Sequence, residues 1–125
     1  SREKVKGLAV QEQGGERTIY VACRYFAMEK LDIAGEMKEC ADGDKFFTLT
    51  IAEGSGEIRY DGGVQAFSAG DSLLIPASLG SYSIAGDCTV IKAYVPDRQK
   101  DIVDYLEAKG FTREQMNAIA GLFED

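Results

Sequence analysis

The side chains that could do chemistry in this chain are few, and the most versatile one is missing. None of its 125 residues is histidine, so the usual near-neutral proton carrier and the commonest nitrogen ligand for metals are both absent. The three cysteines, Cys23, Cys40 and Cys88, form no C-x-x-C pair. An odd count without metal spacing reads as free thiols in a reducing cytoplasm. Cys23 and Cys88 lie in apolar or β-rich runs, where a thiol packs as a small hydrophobe. Glu53, Glu57, Asp71 and Asp87 look like acid–base pairs only on paper. Each adjoins a glycine in an expected turn, where a carboxylate serves solvation and backbone bonding. Arg17 and Arg24 could grip a phosphate through two parallel donors. No Gly-rich cradle adjoins Arg24, so an ion pair is its expected role. Ser78, Ser81 and Tyr82 could form a hydroxyl rim for a carbohydrate; the plainer reading is a surface loop with a solvated tyrosine. Phe47 could stack on a sugar ring, but core packing is the expectation.

Composition narrows the partners. The net charge of −7, from 21 acidic and 14 basic residues, disfavours nucleic acid and anionic membranes. No run of 18 apolar residues exists to span a bilayer. No secretory leader is visible at Ser1-Arg2, and the expected location is cytoplasmic. An apolar share of 45 % over 125 residues suits one compact domain with a real core.

The elements that must position these residues are short strands. The run FFTLTIAEGSGEIRYDGGVQAFSAGDSLLIP, from Phe46 to Pro76, alternates apolar Phe47, Leu49 and Ile51 with polar Thr48 and Thr50, the period of a half-buried strand. Gly54 and Gly56 interrupt it, Ile58 and Tyr60 restart it, and Asp61-Gly62-Gly63 is a tight-turn signal. Strands are also expected over Val5–Gln11, Arg17–Phe26, Ala27–Ile33 (with a bulge between Met28 and Leu31), Glu36–Cys40, Tyr82–Ile84 and Cys88–Val95. Ala34-Gly35 and Ala85-Gly86-Asp87 read as turns between them. After Pro96 the period changes to that of a helix. Asp97 caps a helix from Arg98 to about Lys109, and Gly110 ends it. A capping box at Thr112 starts a second helix with the stripe Met116, Ile119, Ala120 and Phe123. Helices this short must dock on the barrel, a missing domain or a second copy.

Two stretches, Ile51-Ala52-Glu53-Gly54-Ser55-Gly56 and Gly70-Asp71-Ser72-Leu73-Leu74-Ile75-Pro76, resemble the two motifs of the cupin superfamily. The resemblance implies an all-β fold, a double-stranded β-helix or jelly-roll barrel; the caps and periodicity after Pro96 add a short C-terminal α-helical extension that lies outside the likeness. The chain is thus divided into a leader, residues 1–4, the barrel, 5–96, and a two-helix extension, 97–125. Metal-binding cupins carry histidines and a glutamate on these motifs; here the corresponding positions are Ala41 and Gly43, or a neighbour, for the paired histidines, Phe47 for the glutamate and Ser81 for the last histidine. A longer likeness, over about Lys6 to Val95, is to the C-terminal cupin domain of type I mannose-6-phosphate isomerases. It implies a non-catalytic domain of an enzyme that interconverts mannose 6-phosphate and fructose 6-phosphate. The zinc and the catalytic residues would belong to an upstream catalytic domain, so no cofactor and no catalytic residue is expected in this chain. Phe47, Ser78, Ser81 and Tyr82 would then line a vestigial pocket. Alternatives are a free-standing, metal-free sugar-binding cupin and a structural module that forms a homodimer.

Overall fold

The computed structural model describes residues 6–125. The expected leader and the expected strand start at Val5 lie outside these residues. Seven antiparallel strands follow one another: β1 (Leu8–Glu12), β2 (Gly15–Ala22), β3 (Ala27–Ala41), β4 (Phe47–Tyr60), β5 (Gly63–Ser68), β6 (Ser72–Ile75) and β7 (Gly80–Tyr94). Their order in the sheet is β1-β2-β3-β7-β4-β5, with β6 also beside β4.

Three of these strands are long, where turns were expected inside each. β3, β4 and β7 run 15, 14 and 15 residues. Gly35, Gly86 and the Gly54–Gly56 pair do not end strands; they bend them. Gly35 pairs with Gly86, and Gly86 with Gly56, so three neighbouring strands bend in one row. A Cβ on Gly56 would lie 2.0 Å from the Ala85 carbonyl oxygen. Only glycine lets the backbones come that close. Each long strand therefore has two arms. The near arms, residues 27–34, 87–94 and 47–55, join β1, β2 and β6. The far arms join β5. Leu31, Leu49, Ile51 and Val90 of the near arms share one core with Met37, Ile58 and Ile84 of the far arms. The result is the all-β jelly-roll barrel expected, with an apex at the glycine row and a mouth where the arms end.

The bulge is displaced from its expected place. The register shifts in β2, between Ile19 and Val21. β3 itself alternates without a slip, burying Ala27, Glu29, Leu31 and Ile33. The expected slip came from reading Glu29 as an outward residue.

A helical tail packs beside the mouth. The Asp97 carboxylate accepts the Lys100 N–H at 3.0 Å and caps a π-helical turn, Arg98–Val103, that runs into α1 (Asp104–Ala108). Gly110, at φ 92°, donates to the Glu107 carbonyl and Phe111 to the Leu106 carbonyl, a paired C-terminal stop. The Thr112 capping box forms, but α2 (Arg113–Met116) is a single turn. The second helix expected to carry Met116, Ile119, Ala120 and Phe123 stops there. Instead Ala120 bridges Val21, with the Ala120 N–H bonded to the Tyr20 carbonyl and the Ala22 N–H to the Ala120 carbonyl, each at 3.0 Å. The bulge in β2 offers those groups. Met116, Ile119 and Leu122 are buried with Ile102, Val103 and Leu106, while Phe123 is exposed.

Candidate functional site

The chemistry-bearing side chains that converge are inside the mouth. Arg17 on β2 is more than nine-tenths buried, as are Glu29 on β3 and Lys92 on β7. The Arg17 guanidinium donates through Nε to Glu12 at 2.8 Å, through Nη1 to Glu29 at 2.5 Å and through Nη2 to Glu39 at 2.5 Å. Lys92 Nζ donates to Glu39 at 2.6 Å and lies 4.7 Å from the Phe47 ring centre. The Tyr94 hydroxyl donates to Glu29 at 2.5 Å, and the Tyr105 hydroxyl, from the tail, donates to Glu12. Glu29 and Glu39 reach one guanidinium because β3 folds back at Gly35 between them. Beside the cluster opens a cavity of about 440 Å³, walled by Phe47, Tyr94 and Tyr105 with Lys38 and Lys109 among its lining.

The electrostatics hold Glu39, Glu12, Tyr94 and Tyr105 each in one protonation state. Burial alone would raise Glu39, but the charges of Lys92 and Arg17 outweigh it and hold its carboxyl at about 2. Burial likewise opposes ionisation of Glu12, and Arg17 overcomes it, leaving that carboxyl below its ordinary range. Burial and then the Glu29 carboxylate push the Tyr94 phenol far up; burial and the bond to Glu12 do the same for Tyr105. Carboxylates held this low are poor bases, and phenols held this high stay protonated. Proton transfer near neutral pH needs a group poised between those limits.

Zinc does not fit these residues. Of the positions that the cupin likeness sets at metal-ligand places, Ala41 and Phe47 are buried without a donor atom, Gly43 has no side chain, and Ser81 is exposed; of the neighbours of Gly43, Asp42 and Asp44 both accept from Lys100 Nζ. Among the described residues no group of three potential ligands is arranged to hold a metal. The three converging glutamates are bonded to Arg17 and Lys92, which supply the positive charge that a metal would bring.

The four residues expected to line a vestigial pocket do not come together. Phe47 is buried on β4 and packs its ring 5.1 Å from that of Tyr94, in the cavity wall. Tyr82 is not a solvated loop residue: it sits on β7 at 4 % exposure, opposite Glu39, and its hydroxyl has no partner among the described residues. Ser81 is exposed on β7 and lines a separate surface groove with Tyr82. Ser78 lies in the turn before β7. Arg17 grips carboxylates in place of a phosphate, and Arg24 stacks 5.6 Å from the Tyr25 ring centre. Asp71 accepts the Ser68 N–H, as expected of a turn carboxylate, and Glu57 pairs with Arg59. Cys88 is buried, Cys23 half-buried and Cys40 exposed.

Glu12, Glu29, Glu39, Lys92 and Tyr94 were not singled out from sequence. A signal was present. Glu29 stands two residues before Leu31, Arg17 two before Ile19, Lys92 two after Val90 and Glu39 two after Met37. Each charge occupies the inward phase of a strand.

Comparison with known proteins agrees with the sequence likeness. Residues 16–95 match the family model described as mannose-6-phosphate isomerase, cupin domain. The chain is 30 % identical over 95 residues to "Putative mannose-6-phosphate isomerase YvyI" of Bacillus subtilis (strain 168), covering 76 % of this chain and 28 % of that protein. The crystal structure of the mannose 6-phosphate isomerase from Bacillus subtilis superposes with a TM-score of 0.66 at 27 % identity, over 74 % of this chain and 29 % of that one. A variant of Streptomyces PAC13 with uridine superposes with a TM-score of 0.67 over 76 % of this chain and 81 % of that one; at 13 % identity it shares the fold alone. The chain thus spans less than a third of the length of the isomerases it matches.

Proposed function

Since this chain belongs to the family of mannose-6-phosphate isomerase cupin domains, we propose that it is the non-catalytic C-terminal cupin of a longer cytoplasmic isomerase of carbohydrate metabolism. The reaction, interconversion of mannose 6-phosphate and fructose 6-phosphate, would be run by a zinc-bearing domain upstream. One observation carries this reading: the barrel mouth holds a closed set of ion pairs, Arg17 and Lys92 with Glu12, Glu29 and Glu39, where a metal site would need free donors. An aldose–ketose isomerase of the zinc type needs a Lewis acid on the carbonyl and a base near neutrality. The pairing of the mouth groups, with Glu39 held at about 2 and the Tyr94 phenol pushed far up, supports neither role. No helix of the described residues is long and apolar enough to cross a membrane, which is compatible with the cytoplasmic reading.

The test is direct. The purified chain, dialysed against zinc and assayed with mannose 6-phosphate, is expected to hold no stoichiometric metal and to form no fructose 6-phosphate. The whole gene product is expected to be active. Turnover by this chain alone, or a reading frame with no upstream metal-binding cupin, overturns the reading.

A metal-free sugar-binding cupin is the second reading, and the open cavity beside Phe47 and Tyr94 favours it. Aromatic faces next to fixed charges suit a polyhydroxylated ligand. A rise in melting temperature with millimolar hexose or hexose phosphate supports this reading; no shift removes it.

A further inference from the structure

Of the seven large apolar side chains exposed among the described residues, four belong to one face. Phe26, Phe46, Val95 and Leu74 are 48, 55, 58 and 64 % exposed. The register puts them together. Ala27 pairs with Tyr94, so Phe26 and Val95 both lie one residue beyond that pair. Thr48 pairs with Ala93 on one side and with Leu74 on the other. Phe46 precedes Thr48 by two, and Val95 follows Ala93 by two, so all of them project from the face opposite to buried Phe47, Tyr94 and Ile75. Met28, which pairs with Ala93, continues the row. The outer face of the near arms therefore carries Phe26, Met28, Val95, Phe46 and Leu74 across four strands, with no charged residue between Phe26 and Leu74. The chain is 28 % charged overall. Contiguous apolar surface of this kind marks an interface.

We propose that this face docks against the metal-bearing upstream domain of the same polypeptide, an inference that rests on the domain assignment above. Two observations select that occupant. The isomerase relatives extend far beyond the matched region, which is only 28 % of one and 29 % of the other. The first described strand also lies near this face: β1 starts at Leu8, level with Ile19, which is level with Glu29, the neighbour of Met28. An upstream domain that preceded β1 would reach the face without a long linker. A second copy of this chain is disfavoured, because each copy carries a net charge of −7 and would approach against its own repulsion. The partner surface is expected to be apolar and uncharged, as domain interfaces of ordinary size are at their centres.

Hydroxyl-radical footprinting of Phe26, Phe46 and Leu74, in this chain alone and in the whole gene product, tests the proposal. Oxidation of all three is expected to be several-fold slower in the whole protein; equal rates overturn the inference while leaving the domain assignment standing. A reading frame without an upstream domain removes the assignment itself, and with it the inference. The double variant Phe46→Lys, Leu74→Lys adds a second readout. It is expected to leave the melting temperature of this chain unchanged and to split the single transition of the whole protein into two. Sedimentation showing that this chain dimerises alone, and that the double variant makes it monomeric, assigns the face to a second copy and overturns the proposal.

Discussion

At the apex, β3, β7 and β4 come together through backbone alone. Gly35, Gly86 and Gly56 stand in one row, and a Cβ on Gly54 would lie 2.1 Å from the Asp87 carbonyl oxygen. At the mouth, the near and far arms of the same strands are bridged by ionised side chains, and a tail packs beside them. At Gly54, Gly56 and Gly86 the apex has no space for a side chain, whereas the mouth depends on them: Arg17, Lys92, three glutamates and the apolar stripe of residues 102–122. The difference explains how one barrel can bury both an apolar core and a charged cluster. Charges sit where the arms diverge and leave room for partners; these three glycines sit where backbones of neighbouring strands meet.

The largest break in this contrast is removal of the tail. Truncation after Pro96 strips Ile102, Val103, Leu106, Met116, Ile119 and Leu122 from the mouth. At about 1.5–3 kcal/mol for each buried side chain, the loss rivals the whole stability of a small domain, about 5–15 kcal/mol. The truncated barrel is expected to lose cooperative thermal unfolding and to bind a hydrophobic dye, as followed by circular dichroism and fluorescence. A parent-like melt would show that the mouth stands without its tail.

The next break is Arg17→Met, which leaves Glu29 and Glu39 buried with Lys92 as their remaining cation. Removing one member of a buried ion network costs about 3–5 kcal/mol, measurable as a drop in the urea midpoint. Replacing Arg17, Glu29, Glu39 and Lys92 together by apolar residues of similar volume is expected to recover most of that loss. Such a recovery would show that the cluster specifies the shape of the mouth more than it stabilises it.

Acid probes the same cluster without mutation. Glu39 is held at about 2 against an ordinary value of 4.5. A depressed carboxyl stabilises the fold above its unfolded value, and the contribution is lost as pH falls from 4.5 toward 2. Glu12 is displaced in the same direction. At about 1.4 kcal/mol per pH unit, Glu39 alone accounts for up to about 3 kcal/mol. Urea midpoints measured above and within that window are expected to fall together with it, and Glu39→Gln should flatten the fall. A flat profile in the parent would mean that the mouth ions are not paired.

The most local break is at the apex. Gly54→Ala forces a side chain onto φ 79° and against the Asp87 carbonyl. The φ strain alone costs about 1–3 kcal/mol, and the clash adds to it. Gly43→Ala, where φ is also positive but nothing lies within 4 Å, separates the conformational part from the clash. Equal melting temperatures for the two variants would show that the close approach at the apex is unimportant.

The strand content of this fold was legible because its inward residues are mostly apolar at period two. The bends were not. A glycine inside a strand and a glycine in a turn look alike in sequence, and only the pairing of Gly35 with Gly86 and of Gly86 with Gly56 separates them. The first helix was legible through its caps, Asp97 and Gly110. The second was overread, because Ala120 had a backbone partner in the β2 bulge that no local pattern announces. The mouth cluster was illegible as a site for a related reason. A charged residue in an inward phase looks like an error of phase until its countercharge, on another strand, is known. Arg17 and Glu29 are 12 residues apart, and Lys92 and Glu39 are 53 apart.

The placement of β7 has a consequence in time. β3 and β4 follow each other along the chain, yet they are not neighbours in the sheet; β7, the last strand made, lies between them. Its partners pair across long loops, from Ala41 with Gly80 to Ala27 with Tyr94. Until Tyr94 has left the ribosome, β3 has no partner on one side, β4 has only β5 and β6, and Arg17 and Glu29 wait for Lys92. Closing such distant pairs carries a loop entropy cost before any contact returns it. Folding of this barrel is therefore expected late on the nascent chain, on the arrival of a single strand, and the tail that follows it can dock at the mouth only after that strand is in place.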